Sequence, residues 1–236
     1  MKLNYKRTTI VGLAFFSICA FWQLYDSIVP LILKNTFGIG DTVAGGIMAL
    51  DNILALFMLP LFGALSDRTS TRIGKRMPYI IGGTALAVIS MNFLPYGDNS
   101  VNLYLFIAAL LITLVAMSTY RSPAVALMPD VTPKPLRSKA NAIINLMGAI
   151  GGAFTLVVIS LLVPDTGKPD YSPLFFIISG VMVVSVVALV LIIDENRLVA
   201  EMQAMNGHGT ENEETGSGSG KSLPADVRRS LIFILL

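Results

Sequence analysis

Three ionisable side chains stand inside long apolar runs: Asp26, Asp51 and Arg121. Holding such a group in hydrocarbon costs roughly 2.5–3.5 kcal/mol on insertion scales, so each marks a functional candidate. Two carboxylates at one depth can share a proton, because a like charge raises the pKa of its neighbour. A buried acid that titrates near neutrality is what proton coupling requires. Trp22, Gln23 and Tyr25 flank Asp26, Asn52 follows Asp51, and Tyr120 precedes Arg121. Rings for the C–H face of a polyhydroxylated solute, with amides and carboxylates for its hydroxyls, would make a binding site of this mixture. A structural reading competes with it. Each acid could cap or hydrogen-bond a neighbouring helix, with Arg121 as counter-ion or snorkelling from a helix end. Trp and Tyr also gather at membrane interfaces, which accounts for Tyr96 and Tyr104.

The elements that must position these groups are membrane helices. The chain has 236 residues, of which 54% are hydrophobic and only 14% charged, with a mean hydropathy of +0.70. Soluble domains carry about 25% charged residues, so an ordinary soluble enzyme, a nucleic-acid binder and a disordered chain are excluded. A span needs about 20 predominantly apolar residues. Six stretches qualify: 8–33, 43–65, 77–97, 101–122, 142–164 and 173–193. The first has a basic start at Lys2, Lys6 and Arg7, yet it is too long for a signal peptide and lacks a small-residue cleavage site. Asp26 then falls about 10 Å, and Asp51 about 12 Å, from one boundary at 1.5 Å per residue. Gly148 with Gly152, and Gly45 with Ala49, read as small-residue packing notches. The single Cys19 reads as a buried thiol that behaves as a small hydrophobe.

Lys and Arg alternate between the loops. The N-terminus, the second loop (Arg68, Arg72, Lys75, Arg76), the fourth (Lys134, Arg137, Lys139) and the segment after span six (Arg197, Lys221, Arg228, Arg229) are basic. The first and fifth loops hold only Lys34 and Lys168, and the third holds none. The positive-inside rule therefore puts the N-terminus and the 196–230 segment in the cytoplasm. That segment, with its Gly-Ser run at 216–220, reads as a flexible linker. His208 stands there without a second metal ligand. Residues 231–236 read as the start of a seventh span, cut after about two turns.

The second loop runs Gly63-Ala64-Leu65-Ser66-Asp67-Arg68, then Gly74-Lys75-Arg76-Met77-Pro78. This order resembles the signature loop of the major facilitator superfamily. Its spacing and ending are similar to the glycoside–pentoside–hexuronide:cation symporter branch and the related sucrose/proton symporters. Pro123, Leu127 and Asp130 at the end of span four resemble the matching region of those families. The resemblance implies an all-α fold in which 1–195 forms an N-terminal six-helix half of 3+3 inverted repeats, 196–230 the linker, and 231–236 the start of helix seven. It also implies that Gly63, Asp67, Arg68, Gly74, Lys75 and Arg76 form a conformational latch, with Asp67 docking on a helix N-terminus of the opposite half, where the dipole favours an anion. Melibiose-type members hold sodium with acids at positions that here carry Ala55, Leu59 and Arg121. A proton is therefore the expected coupling ion ahead of sodium.

The expected function is proton-coupled symport of a sugar or glycoside by alternating access across the cytoplasmic membrane. Asp26, Asp51, Arg121, Trp22, Gln23, Tyr25, Asn52 and Tyr120 would line the path. The expected partners are a small-molecule solute, the lipid bilayer and a missing C-terminal six-helix half, with no nucleic acid and no cofactor or metal. A six-helix oligomeric channel or membrane scaffold is the alternative. No catalytic set of His, Ser, Cys or paired acids supports an enzyme.

Overall fold

The computed structural model describes residues 4–164 and 169–210. All regular structure among them is helical. Six helical segments are long and apolar enough to cross a membrane. Residues up to Met202 form one compact unit. Helix α1 (Tyr5–Asn35) starts where the Asn4 side chain accepts the Arg7 N–H at 3.2 Å. The second span is α2 (Asp41–Met48) followed by α3 (Leu50–Arg68), and the third is α4 (Met77–Met91) followed by α5 (Phe93–Asn99). Helix α6 (Leu103–Asp130) is capped by Asn102, whose side chain accepts the Leu105 N–H at 3.1 Å. A 3-10 turn at Lys134–Leu136 leads to α7 (Arg137–Leu162), followed by α8 (Ser172–Ile192) and α9 (Glu195–Thr210).

Four features differ from the sequence reading. Span four runs to Asp130, not 122, and contains Pro123 and Pro129; neighbouring helices re-satisfy the backbone that such prolines free. Spans two and three are each divided, at Ala49 and Asn92. The expected linker begins as helix α9. Its first turn is capped by Asp194, which accepts the Arg197 N–H at 3.1 Å, and it carries an Arg197–Glu201 pair at 3.2 Å. The remainder of the linker from 211, and the start of helix seven at 231–236, lie outside the described residues.

Small residues allow two close helix crossings. Helix α1 packs most extensively on α7. A Cβ on Gly151 would collide with the Phe16 carbonyl oxygen, and one turn on, the Thr155 hydroxyl donates to the Ala20 carbonyl at 3.1 Å. Gly148 meets the Cys19 thiol there, as the notch reading expects. A Cβ on Gly83 of α4 would sit 2.7 Å from the Tyr120 backbone nitrogen of α6. Gly45, by contrast, faces open space, so the Gly45–Ala49 notch is unused among the described residues. Gly151→Leu is expected to force α1 and α7 apart. Backbone cannot move aside as a flexible side chain can, so the cost falls at the upper end of overpacking, about 3 kcal/mol. Thermal melting in detergent would show it, and an unchanged melting temperature would contradict the crossing.

Span two is the least enclosed of the six. None of its apolar window is buried, and Leu56 and Phe57 are 71% and 67% exposed. It rests mainly on α6, where the Ser122 hydroxyl donates to the Leu59 carbonyl at 2.7 Å.

Candidate functional site

The intramembrane candidates divide into two groups. In the first, Asp26 of α1 and Asp51 of α3 stand on neighbouring spans that meet through Tyr25, the residue before Asp26. Asp26 is exposed and Asp51 half-buried. Asn52 donates from Nδ2 to Asp51 Oδ1 at 2.8 Å, so its amide orients the carboxylate. The Tyr25 ring is buried, and its hydroxyl donates to the Met48 carbonyl at 3.3 Å, at the break between α2 and α3. That contact ties span one to the turn that presents Asp51.

In the second group, the Arg121 guanidinium carbon lies 5.6 Å from the centre of the Trp22 ring. Edge-on contacts from Phe21 and Tyr25, each with ring centres 5.4 Å away, hold the indole. The expectation that Arg121 sits near a helix end is corrected by the length of α6. Arg121 is nine residues short of Asp130, about 13 Å at 1.5 Å per residue. Nor does it serve as counter-ion to the acids, since no carboxylate among the described residues lies within 4.0 Å of it. Gln23 donates to the Ser27 hydroxyl at 3.1 Å and lies beside Gly152. Tyr120 is not with them. It is fully buried, and its hydroxyl bonds the Ser17 hydroxyl at 2.7 Å and the Ala14 carbonyl at 3.1 Å, which makes it a crosslink between α6 and α1.

The third constellation closes one end of the bundle. The Arg76 side chain is only 6% exposed. It donates to Asp67 Oδ1 at 2.5 Å, to Asp130 Oδ2 at 3.1 Å and to the Ser66 hydroxyl at 2.7 Å. Its longest contact is to the Gly63 carbonyl at 3.5 Å. Lys75 reaches Asp130 at 3.1 Å and Asp67 at 3.7 Å. Two acids thus balance two bases, and the buried guanidinium is satisfied by several acceptors, the condition under which a buried ion pair holds. Asp67 therefore meets its own loop's cations within this bundle. Arg68 is exposed and makes no ion pair among the described residues.

The helix N-terminus at this end is held by a carboxylate that the sequence reading assigned to no role. Glu195, 1% exposed, accepts the backbone N–H groups of Lys75, Arg76 and Met77 at 3.0–3.1 Å. These are donors a helix start leaves unpaired, and the dipole there favours negative charge. Burial pushes the Glu195 pKa up, the three N–H bonds pull it back, and the Asp130 charge adds to the rise. Gly74 has φ +120° and a Cβ there would strike the Glu195 carboxylate, so only glycine fits. Asn196 donates to the Arg72 carbonyl at 2.9 Å, and Thr71 to the Gly74 carbonyl. One signal could have revealed Glu195. Asp194-Glu195-Asn196 directly after an apolar run is a helix start with an acid in its first turn.

Six helices, a charged loop between the second and third, and an ion cluster uniting that loop with the ends of spans four and six define an architecture that can be compared with known families. The family model described as Major Facilitator Superfamily matches residues 11–220. The chain belongs to the Major Facilitator Superfamily. It is a multi-pass membrane protein of a transporter family rather than an enzyme. Within that superfamily it is similar to an uncharacterised symporter of Synechocystis, 28% identical over 161 residues, which are 64% of this chain and 29% of that protein. It is similar to the alpha-ketoglutarate permease of Escherichia coli, 27% identical over 158 residues, 65% of this chain and 34% of that protein. A sucrose transport protein of Arabidopsis thaliana is 28% identical over 149 residues, 55% of this chain and 25% of that protein. The chain spans less than half the length of these relatives.

Proposed function

We propose that this chain is the N-terminal half of a symporter that carries a sugar or glycoside with a proton, by alternating access across the cytoplasmic membrane. The observation that carries the reading is the Asp26–Asp51 pair. The two acids stand on neighbouring spans that meet where the Tyr25 hydroxyl, one residue before Asp26, bonds the Met48 carbonyl, three residues before Asp51, and carboxylates inside spans are the groups a coupled proton would use. The names of relatives add support: a sucrose transport protein, a symporter, and a proton-associated sugar transporter of Mus musculus that is 26% identical over 143 residues. The basic end of the bundle faces the cytoplasm, in keeping with the positive-inside rule. The Arg76–Asp67–Asp130 cluster and its Glu195 brace act as the latch that holds one state of the rocking bundle. Solute binding at the midplane between two halves is the geometry such carriers use.

The test uses the full-length carrier in vesicles, with imposed pH and sodium gradients and a panel of labelled sugars. A pH gradient is expected to drive accumulation and a sodium gradient is not. Asp51→Asn is expected to lower proton-driven accumulation at least tenfold while solute exchange without a gradient continues. Unchanged proton-driven uptake in that variant removes Asp51 from coupling, and sodium-driven uptake overturns the choice of ion.

A further inference from the structure

We infer that the cavity between the start of α1 and the α8–α9 junction holds the headgroup of an anionic phospholipid, with its phosphodiester on Lys6, Arg7 and Arg197. The site lies at the edge of the bundle rather than on a solute path, and it stands whichever solute or ion the protein carries.

The cavity has a volume of about 410 Å³, within the roughly 300–1,000 Å³ range of ligand sites. Two chemistries line it. Lys6 and Arg7 of α1 and Arg197 of α9 supply three bases. Ile10, Ile192 and Ile193 supply an apolar wall. Ile192 is the last residue of α8 and is 58% exposed. The cavity therefore straddles the step from the most apolar of the six spans to polar α9. At such a step the phosphates of a bilayer leaflet stand beside the first methylenes of their acyl chains.

Charge narrows the ligand class. Two acids share the cavity, and both are engaged. Glu201 takes Arg197 at 3.2 Å and Arg7 at 3.6 Å, and Asp194 accepts the Arg197 N–H at 3.1 Å as the cap of α9. Lys6 is exposed and makes no ion pair among the described residues. Three bases against two acids leave one positive charge, and a phosphodiester monoanion matches it with strong charge-assisted hydrogen bonds. A polyanion would exceed that surplus and meet the two carboxylates. A zwitterionic lipid brings no net charge to it, and free phosphate has no use for the isoleucines. The positive-inside rule accounts for bases at a helix end, but not for a cavity with an apolar wall between two helices. Basic pockets of that form take lipid headgroups.

Thermal melting of the purified full-length protein in detergent tests this with three probes: dioleoyl phosphatidylglycerol, dioleoyl phosphatidylcholine and inorganic phosphate. Phosphatidylglycerol is expected to raise the melting temperature about 3 °C more than phosphatidylcholine does, because a ligand that binds only the folded state stabilises it. Inorganic phosphate is expected to add nothing. Combining Lys6→Gln with Arg197→Gln is expected to remove most of the difference between the lipids. Lys139→Gln, which takes away an exposed base of α7, is expected to keep it. Should the double variant fail to fold, photoactivatable phosphatidylglycerol on the wild-type protein decides. Its label is expected on residues 4–10 and 192–201, displaced by unlabelled phosphatidylglycerol and not by phosphatidylcholine. Equal protection by the two lipids, an equal shift from phosphate alone, a difference that survives the double variant, or label confined to other residues overturns the site.

Discussion

Replacing Arg76 by alanine is expected to lower the stability of the bundle by about 3–5 kcal/mol, the cost of removing one partner from a buried charge network. The loss exceeds that of any exposed ion pair because the guanidinium is nearly inaccessible and serves Asp67, Asp130, Ser66 and the Gly63 carbonyl together. Its removal leaves Asp130, only 23% exposed, with Lys75 as its sole cationic partner among the described residues. Arg76→Lys cannot rescue it fully, since a single ammonium cannot span Asp67 and Asp130 as the planar fork does. Thermal melting in detergent would measure the change. Exposed Arg68 supplies the control, and Arg68→Ala is expected to leave the melting temperature unchanged. Equal effects of the two substitutions would contradict the network.

The second large effect belongs to Glu195. Glu195→Ala strips three backbone N–H groups at the start of α4 of their acceptor. The expected cost is about 3 kcal/mol, near the upper value for a hydrogen bond to a charged group once burial of the carboxylate is subtracted. The pH dependence has a definite sign. Burial lifts the Glu195 pKa above its ordinary 4.5, so the native state binds the proton more tightly than the unfolded chain. Stability from this group is then fully present below 4.5 and falls as pH rises through the native value. The melting temperature of the wild-type chain is expected to gain on that of Glu195→Gln as the pH is lowered from 7 to 5. A difference that shrinks instead would show that the N–H bonds outweigh burial.

How much of this could be read beforehand depends on whether a feature is local in the chain. The six spans were legible because twenty consecutive apolar residues announce themselves. The far end of α6 was not, because the uninterrupted apolar run ends at the charged and turn-forming residues from Arg121 onward. The breaks at Ala49 and Asn92 carry neither glycine nor proline at the break itself. The loop signature pointed to Asp67, Lys75 and Arg76. Their shared partner Asp130, however, is 54 residues from Arg76, and Glu195 is more than a hundred residues away. The crosslink that Tyr120 makes to α1 was hidden for a related reason: on a helix apolar all round, nothing in the sequence tells which side faces inward. The acids in spans one and two were visible as charges in oil, while their approach to each other, and the distance of Arg121 from any carboxylate, belong to tertiary structure.

The two ends of the bundle differ in how they are held. At the Asp67 end, charge pairs and the Glu195 brace rivet the loop, α4, α6 and α9 into a single block. At the opposite end, spans two and three are divided at Ala49 and Asn92; backbone bonds still run through the Ala49 break, and one side chain marks each place, the Tyr25 hydroxyl and the Asn92 amide. The two ends are therefore unequally braced: several charge pairs fix one, while a single side-chain contact apiece marks the breaks at the other.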